Sequence, residues 1–515
     1  MCKNQLFSWV IVVYNILMKK KPHIIIFNPD QFRADALHHM GCEASITPNL
    51  DKTAAEDGIS FRNAFCQNPV CTPSRCSFMT GWYTHVHGHR TMYHMLKHHE
   101  PVLLKMLMDE GYCVWWGGKN DLVPGQEEPL DYCSIYNRTG RKTRTNLHQS
   151  AAEWRGSKDG DNYYSFYAGK LETDENGHYI DDDWAQVLDA IDFINEYNDE
   201  KPLCIYLPIL YPHPPYGVEE PYYSMIDRDK VKSPKERYEN WDDKPSILKG
   251  IRDNQHMTGW SEDRFIELKA TYLAMCARVD AQYGMLLDVL KEKDMYDDSA
   301  VFTFSDHGDF TGDYGLVEKT QNTFQDCLTN VPFIIKPPKW VEVKPRVTEA
   351  MTELIDFTAT VFELTGIKPG YTHFGQSLLP VLEGKTDELR DAVFCEGGRM
   401  PGENHCKEFQ SASAGTDFLY SPRINLQIGD GPEHSKAIMV RTKQHKYVYR
   451  VGEKHELYNL EKDPEEYINL INDESHKEIL TGLKMRMLQF FVETGDVVPL
   501  EGDERFFDAS TRHRP

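Results

Sequence analysis

Apolar residues along the chain form short continuous runs and longer periodic stretches. Each run predicts a buried parallel strand, because a strand that is apolar on both sides needs cover on both faces of its sheet. Amphipathic helical spacing lies between the runs, over residues 183–197 and 262–292. This alternation predicts an α/β fold with a large, mostly parallel sheet flanked by helices. The four runs are residues 23–27 (HIIIF), 203–209 (LCIYLPI), 300–305 (AVFTFS) and 331–335 (VPFII).

The pattern changes after about residue 385. Residues 437–441 (AIMVR) and 446–451 (KYVYRV) are typical of short strands, and a helix is predicted from 474 to 493. A chain of 515 residues is also too long for one simple core. We therefore expect a large domain at 21–385 and a smaller C-terminal α+β domain with an antiparallel sheet at 386–515.

Charge and composition narrow the possible partners. Apolar residues make up 40% of the chain and aromatic residues 12%, which suits a folded globular protein. The formal net charge of −23 repels polyanions at long range, so we expect no nucleic-acid partner. An anionic substrate would need positive charge concentrated in a pocket, which favours a small or terminal group over a long polyanion.

The N-terminal 20 residues leave two interpretations open. Residues 5–18 are apolar and follow Lys3, as in a signal peptide, but three lysines follow them instead of a small-residue cleavage site. Translation from Met18 is the other interpretation. The stretch is short for a bilayer, so we expect no stable membrane span. Twelve cysteines without a C-x-x-C pair suit a reducing compartment, so we expect a cytoplasmic protein, with export as the alternative.

Polar residues follow three of the predicted strands. Asp30 and Gln31 follow the first, His213 follows the second, and Asp306 and His307 follow the third. Ligands of open α/β sheets bind beyond the carboxyl ends of the strands, so these side chains are expected to share a site. Carboxylate and amide oxygens suit calcium, and one imidazole is tolerated. The ordinary alternative for each aspartate is a helix N-cap.

The segment from Cys71 to Gly81 reads CTPSRCSFMTG. It resembles the signature C-x-P-S-R of the formylglycine-dependent sulfatases in the alkaline-phosphatase superfamily, and the resemblance runs from about residue 22 to 475. It implies that a maturase oxidises Cys71 to formylglycine. The hydrated aldehyde offers one hydroxyl to attack sulfur and a second to expel sulfate, which a plain serine cannot do. A buried, inert thiol is the ordinary alternative for Cys71.

The resemblance also assigns the remaining site residues. Arg75 would stabilise the diol, and either His213 or Lys319 would protonate the leaving alcohol. One divalent ion, calcium, would be held by Asp30, Gln31, modified Cys71, Asp306 and His307. The sulfuryl oxygens would be bound by Lys119 (in WGGKND), His213 and Lys319 (in GLVEK).

One position departs from the family pattern. Family members usually have G-K-x-H, whereas this chain has Asp121 at the histidine position. Asp121 is expected near the site, either accepting a proton or orienting Lys119. Two further groups of polar residues are weaker candidates for lining the pocket: His85, His87 and His89, and Glu396, Arg399 and His405.

Together these residues predict hydrolysis of a sulfate monoester, with a small sulfated carbohydrate as substrate. A phosphonate monoester or phosphodiester hydrolase of the same fold is the nearest alternative. A catalytically inactive binding protein is a second alternative, but the complete set of nucleophile, metal ligands and cations argues against it.

Overall fold

A computed structural model describes residues 20–408, 418–503 and 505. The apolar stretch 5–18 and the alternative start at Met18 lie outside the described residues. Fourteen strands are present in the described part: β1 His23–Asp30, β2 Ile59–Phe65, β3 Cys113–Gly117, β4 Ile135–Asn137, β5 Tyr167–Leu171, β6 Leu203–Pro212, β7 Tyr216–Glu219, β8 Ser299–Phe304, β9 Phe333–Lys336, β10 Arg346–Glu353, β11 Val393–Gly397, β12 Ala437–Arg441, β13 His445–Arg450 and β14 Glu456–Asn459.

The longer helices of the described residues are numbered separately. They are α1 Cys71–Thr80, α2 Leu103–Asp109, α3 Asp182–Glu196, α4 Ser246–Asn254, α5 Glu262–Glu292, α6 Ile355–Thr365, α7 Ser421–Ile428 and α8 Lys477–Thr494. Shorter α-helices span Pro48–Lys52, Thr84–His87, Ala151–Trp154, Tyr222–Met225, Asp326–Thr329 and Leu379–Leu382.

Eight strands form the main sheet in the order β10-β2-β9-β8-β1-β6-β3-β4. Neighbouring strands are parallel except at β9, which runs antiparallel to both β2 and β8. The predicted large, mostly parallel sheet is therefore confirmed. The expectation that residues 331–335 form a parallel strand is wrong. A continuous apolar run shows that a strand is buried on both faces, but it does not indicate the direction of the strand.

Alternation along each central strand supplies both faces of the sheet with core residues. In β1, Ile24 and Ile26 pack into one hydrophobic cluster, while Ile25 and Phe27 pack into the other. Helix α5 covers the second face, and its apolar stripe includes Leu268 and Val279. The sheet is thus covered on both sides, as its continuous apolar strands require.

A second, antiparallel sheet follows in the order β11-β12-β13-β14. It confirms the predicted antiparallel sheet in the C-terminal part, and α8 packs against it through Leu483, Met487 and Phe490. The boundary at residue 385 stays a prediction. Within the described residues, every helix is too short or too polar to cross a bilayer.

Candidate active site

Four neighbouring parallel strands end at the candidate site. In sheet order they are β8, β1, β6 and β3. Asp306 and His307 follow β8, Asp30 ends β1, His213 follows β6, and Lys119 follows β3. Parallel strands present their carboxyl ends at one edge, so residues far apart in the chain meet here.

The candidate nucleophile, Cys71, is the first residue of α1. All ten residues of this helix are buried, and it ends at Gly81, whose φ of 73° is the left-handed conformation that glycine adopts without strain. The amide groups at a helix N-terminus carry partial positive charge. Position 71 is therefore held rigidly, at a point where developing negative charge is favoured.

The thiol of Cys71 contacts three polar side chains of the site. Its Sγ lies 3.2 Å from His307 Nε2, 3.5 Å from Lys119 Nζ and 3.6 Å from Asp30 Oδ1. Burial, together with the nearby Asp30 carboxylate, raises the pKa of the Cys71 thiol. An unmodified Cys71 is consequently protonated and a poor nucleophile.

Arg75 joins the two buried aspartates. Its Nε donates to Asp306 Oδ2 and its Nη2 donates to Asp30 Oδ2, both at 2.9 Å, and the three side chains are fully buried. Burial alone would raise the pKa of Asp30, but the charges of Lys119 and Arg75 lower it well below its usual range. Asp30 is therefore an anion despite its burial.

The chemistry of these donors fits a divalent cation. Ligand atoms of Asp30, Cys71, Asp306 and His307 all lie within 4.8 Å of one another. His307 Nδ1 lies 2.9 Å from the carbonyl oxygen of Gly308; if Nδ1 carries the proton, Nε2 presents its lone pair to the cluster. Burial lowers the pKa of His307, which keeps the imidazole neutral, as a metal ligand must be.

Gln31 lies at the edge of this cluster. Its backbone N–H donates to Asp306 Oδ1 at 3.1 Å. The side-chain Nε2 donates to Asp309, while Oε1 accepts from Lys319 Nζ at 2.8 Å. The carboxamide thus bonds to Lys319 in this structure, and metal ligation by Gln31 stays a prediction.

Lys119 bridges two carboxylates next to the thiol. Its Nζ lies 2.7 Å from Asp30 Oδ2 and 2.8 Å from Asp121 Oδ2. Burial alone would lower the pKa of Lys119. The negative charges of Asp121 and Asp30 have the larger effect and raise this pKa well above its usual value. The geometry favours the interpretation that Asp121 orients Lys119.

Lys319 is held by three acceptors. Its Nζ lies 2.6 Å from Glu318 Oε1, 2.8 Å from Gln31 Oε1 and 3.1 Å from His213 Nε2. Burial, and then the charge of Lys319, lower the pKa of His213 well below its usual value, so His213 is neutral. His213 Nδ1 lies 2.5 Å from the carbonyl oxygen of Pro214, which leaves Nε2 as the acceptor for Lys319.

A cleft of about 580 Å³ opens over Cys71. Its inner wall carries the cations Lys119 and Lys319. Its outer wall is lined by amides, aromatic rings and a further lysine: Gln126, Asn146, His148, Phe418, Tyr420 and Lys97. The cleft therefore combines a cationic floor with a rim that can contact a polar, non-ionic group.

The weaker sequence candidates lie away from this cleft. His85 packs against Glu396 and Thr494, with Nδ1 2.8 Å from the Glu396 carboxylate. His87 and His89 both approach Glu100, at 3.3 and 3.2 Å. These contacts make them part of the packing.

Arg399 and His405 occupy similar positions outside the cleft. Arg399 is buried and donates to the carbonyl oxygen of Gly429, while the ring of His405 lies 6.2 Å from that of His94. The described residues that line the cleft do not include these two or Glu396, so the expectation that they line the pocket is wrong.

Sequence reasoning missed four residues of the cleft and its wall. Glu318 precedes Lys319 and is buried beside it, so adjacency could have flagged it. Arg423 ion-pairs with Glu318, and Tyr420 OH lies 2.9 Å from His148 Nε2. Arg423, Tyr420 and His148 come from segments without a recognisable motif.

The sheet brings a candidate nucleophile, buried acidic side chains and cations to one edge, as expected of a hydrolase of the alkaline phosphatase superfamily. The sequence model of the family named Sulfatase matches residues 22–367, more than half of the chain. The chain belongs to the sulfatase family, whose members hydrolyse sulfuric esters.

Individual proteins agree with this assignment. The chain is 25% identical to an arylsulfatase of Clostridium perfringens, over 91% of this chain and 94% of the relative. It is 22% identical to an N-acetylglucosamine-6-O-sulfatase of Bacteroides thetaiotaomicron, over 95% and 91%. Its fold is similar to that of a phosphonate monoester hydrolase of Agrobacterium radiobacter, with a TM-score of 0.69, 21% identity and coverage of 93% and 100%.

Proposed function

We propose that this protein hydrolyses a sulfate monoester of a carbohydrate, through formylglycine formed at Cys71. The observation that carries the proposal is the position of residue 71. It begins a buried helix and contacts a lysine, a neutral histidine and an ionised aspartate at the floor of an open cleft. A residue in this position can attack a group bound above it, provided that it is a better nucleophile than a protonated thiol.

Modification of Cys71 would solve this chemical difficulty. The buried thiol has a raised pKa, so little thiolate forms near neutral pH. Formylglycine would instead supply a diol, with one hydroxyl to attack and one to expel sulfate. Asp30 and His307, which now contact Sγ, would then lie beside the diol oxygens and orient them.

The acidic cluster would hold one calcium ion. Asp30, Asp306 and His307 supply two carboxylates and one imidazole, with Gln31 at the edge. Calcium bound there would supply positive charge that lowers the cost of ionising the nucleophile. Arg75 keeps both aspartates in place by bonding to each of them.

Lys119 and Lys319 would bind the sulfuryl oxygens. Each charge-assisted hydrogen bond is worth about 1.5–3 kcal/mol, and both lysines stay charged because their acidic neighbours outweigh burial. The neutral His213 ring has one N–H, and when its Nδ1 donates this proton to the Pro214 carbonyl oxygen, Nε2 carries none. Lys319 is therefore the group that we propose to protonate the leaving alcohol.

A small sulfated saccharide suits the cleft better than a polymer. The net charge of −23 repels a polyanion, while amides and aromatic rings line the cleft mouth. The similarity to an N-acetylglucosamine-6-O-sulfatase supports a sugar alcohol as the leaving group.

The competing proposal is hydrolysis of phosphonate monoesters or phosphodiesters, which the structural similarity to a phosphonate monoester hydrolase supports. The test compares kcat/KM for a sulfate ester, a phosphonate ester and a phosphodiester of one phenol, using enzyme produced together with a formylglycine maturase. We expect the sulfate ester to be preferred. A preference for either phosphorus ester would replace our proposal with its competitor.

We also propose that the enzyme works in the cytoplasm. Eleven cysteines of the described residues are free thiols, which suits a reducing compartment. Fractionation of the source cell is the test, and processed, exported protein would contradict the proposal.

A further inference from the structure

The C-terminal part of the chain reaches the active-site cleft. Phe418, Tyr420 and Arg423 line this cleft together with Cys71 and Lys319. Arg423 lies in the first turn of α7, about a hundred residues after Lys319 in the sequence. It is half-buried, so part of its guanidinium faces away from solvent.

Arg423 contacts the active site through Glu318. Its Nη1 donates to Glu318 Oε2 at 2.6 Å and to the carbonyl oxygen of Lys319 at 3.3 Å. The same carboxylate accepts from Lys319 Nζ at 2.6 Å and from the Lys319 backbone N–H at 2.7 Å. Glu318 is buried and therefore joins a lysine and an arginine with little exposure to water.

The backbone at Glu318 is also unusual. Its φ of 70° lies in the left-handed region, which residues other than glycine seldom adopt. This conformation persists only where surrounding contacts hold it. Here the Glu318 N–H donates to Tyr216 OH at 3.0 Å, and the Glu318 carbonyl accepts from Phe310 N at 3.0 Å.

An ammonium group has three donors, and those of Lys319 reach Glu318, Gln31 and His213. Gln31 and His213 are neutral, so Glu318 is the one charged acceptor among the three. Without Arg423, the Glu318 carboxylate would lose its second cation and a direct restraint on its position.

We propose that Arg423 is a positioning residue for the proposed ester hydrolysis: it holds the Glu318 carboxylate against Lys319 and thereby fixes the proton donor over the substrate. This inference rests on the proposed role of Lys319 as the group that protonates the leaving alcohol. It adds one residue of α7, which lies beyond the matched family region, to the residues that position the site.

The inference predicts a loss of rate that depends on the leaving group. A misplacement of about 1 Å can cost about 100-fold in rate, so we expect Arg423→Gln to lower kcat about 10- to 100-fold on an ester of a sugar alcohol. A nitrophenol ester needs little protonation as it leaves, so its kcat should fall much less. A purely structural role would lower both rates alike.

The experiment is a double-mutant cycle of Arg423→Gln and Glu318→Gln, measured on both esters. If Arg423 acts through Glu318, its substitution has little further effect in the Glu318→Gln background. Arg423→Lys keeps a cation and should recover part of the rate. Asn425→Gln, at an exposed position of the same helix, is the matched control and should keep wild-type rates.

Equal losses on the two esters, or effects that multiply in the double variant, would overturn the inference. Thermal unfolding of each variant identifies any that fails to fold, and Arg423→Lys then provides the comparison. The ratio of kcat on the sugar-alcohol ester to kcat on the nitrophenol ester can be measured with either sulfate or phosphonate esters. A wild-type preference for phosphonates would therefore contradict the proposed substrate without deciding the role of Arg423.

Discussion

Replacement of Arg75 by methionine should destabilise the protein in a calcium-dependent way. Methionine keeps an unbranched side chain that can fill part of the space but removes the charge that bridges Asp30 and Asp306. Each carboxylate loses a charge-assisted bond worth about 1.5–3 kcal/mol. Breaking a buried ion pair costs about 3–5 kcal/mol, and we expect a loss of this size in the free energy of unfolding when a chelator is present.

Calcium should reverse part of this loss. A ligand at 100 times its Kd stabilises the folded state by about 2.7 kcal/mol. Arg75 places a positive charge beside both carboxylates in the wild type, and the variant lacks this charge. Calcium should therefore stabilise Arg75→Met more than it stabilises the wild type. The assay is denaturant unfolding followed by tryptophan fluorescence, with chelator or with calcium.

A matched control comes from the second sheet. Arg450 is also fully buried and donates twice to Glu456, at 2.9 and 2.7 Å. Arg450→Met should lose stability in the same way, but its loss should not respond to calcium. A loss below about 1 kcal/mol in Arg75→Met, small for a broken buried ion pair, or equal calcium responses in the two variants, would refute the reasoning.

Three further predictions concern turnover. Chelation should abolish ester hydrolysis and calcium should restore it; full activity in protein that elemental analysis shows to be metal-free would contradict the metal site. Lys319→Met should slow sugar sulfates more than nitrophenyl sulfate, whereas His213→Asn should slow both alike; the reverse pattern would make His213 the proton donor. Catalytic efficiency should be higher on a small sulfated saccharide than on an intact sulfated polymer, with a gap that narrows as salt screens the charge; faster attack on internal sulfates at low salt would contradict the charge argument.

The arrangement of the site could be predicted because it follows from strand order. Asp30, His213 and Asp306 each follow an apolar run, and parallel strands bring their carboxyl ends to one edge. The direction of β9 could not be predicted, because burial on both faces removes the alternation that distinguishes an antiparallel strand.

Contacts from distant loops could not be predicted from the chain either. Arg423 reaches Glu318 only because α7 folds back over the cleft, and no local pattern encodes that approach. The expectation for Glu396 was wrong for a related reason: its position near the predicted domain junction indicated the cleft, but it bonds to His85 instead.

The most direct test of formylglycine chemistry is the mass of the tryptic peptide of residues 63–75. This peptide contains Cys71 and also Cys66, a buried thiol that serves as an internal control. In active enzyme produced with a maturase, we predict that residue 71 carries an aldehyde in place of its CH2SH group while Cys66 remains alkylatable, and that sulfate release scales with the modified fraction. Full sulfate release from protein in which both residues are unmodified thiols would contradict the proposed mechanism.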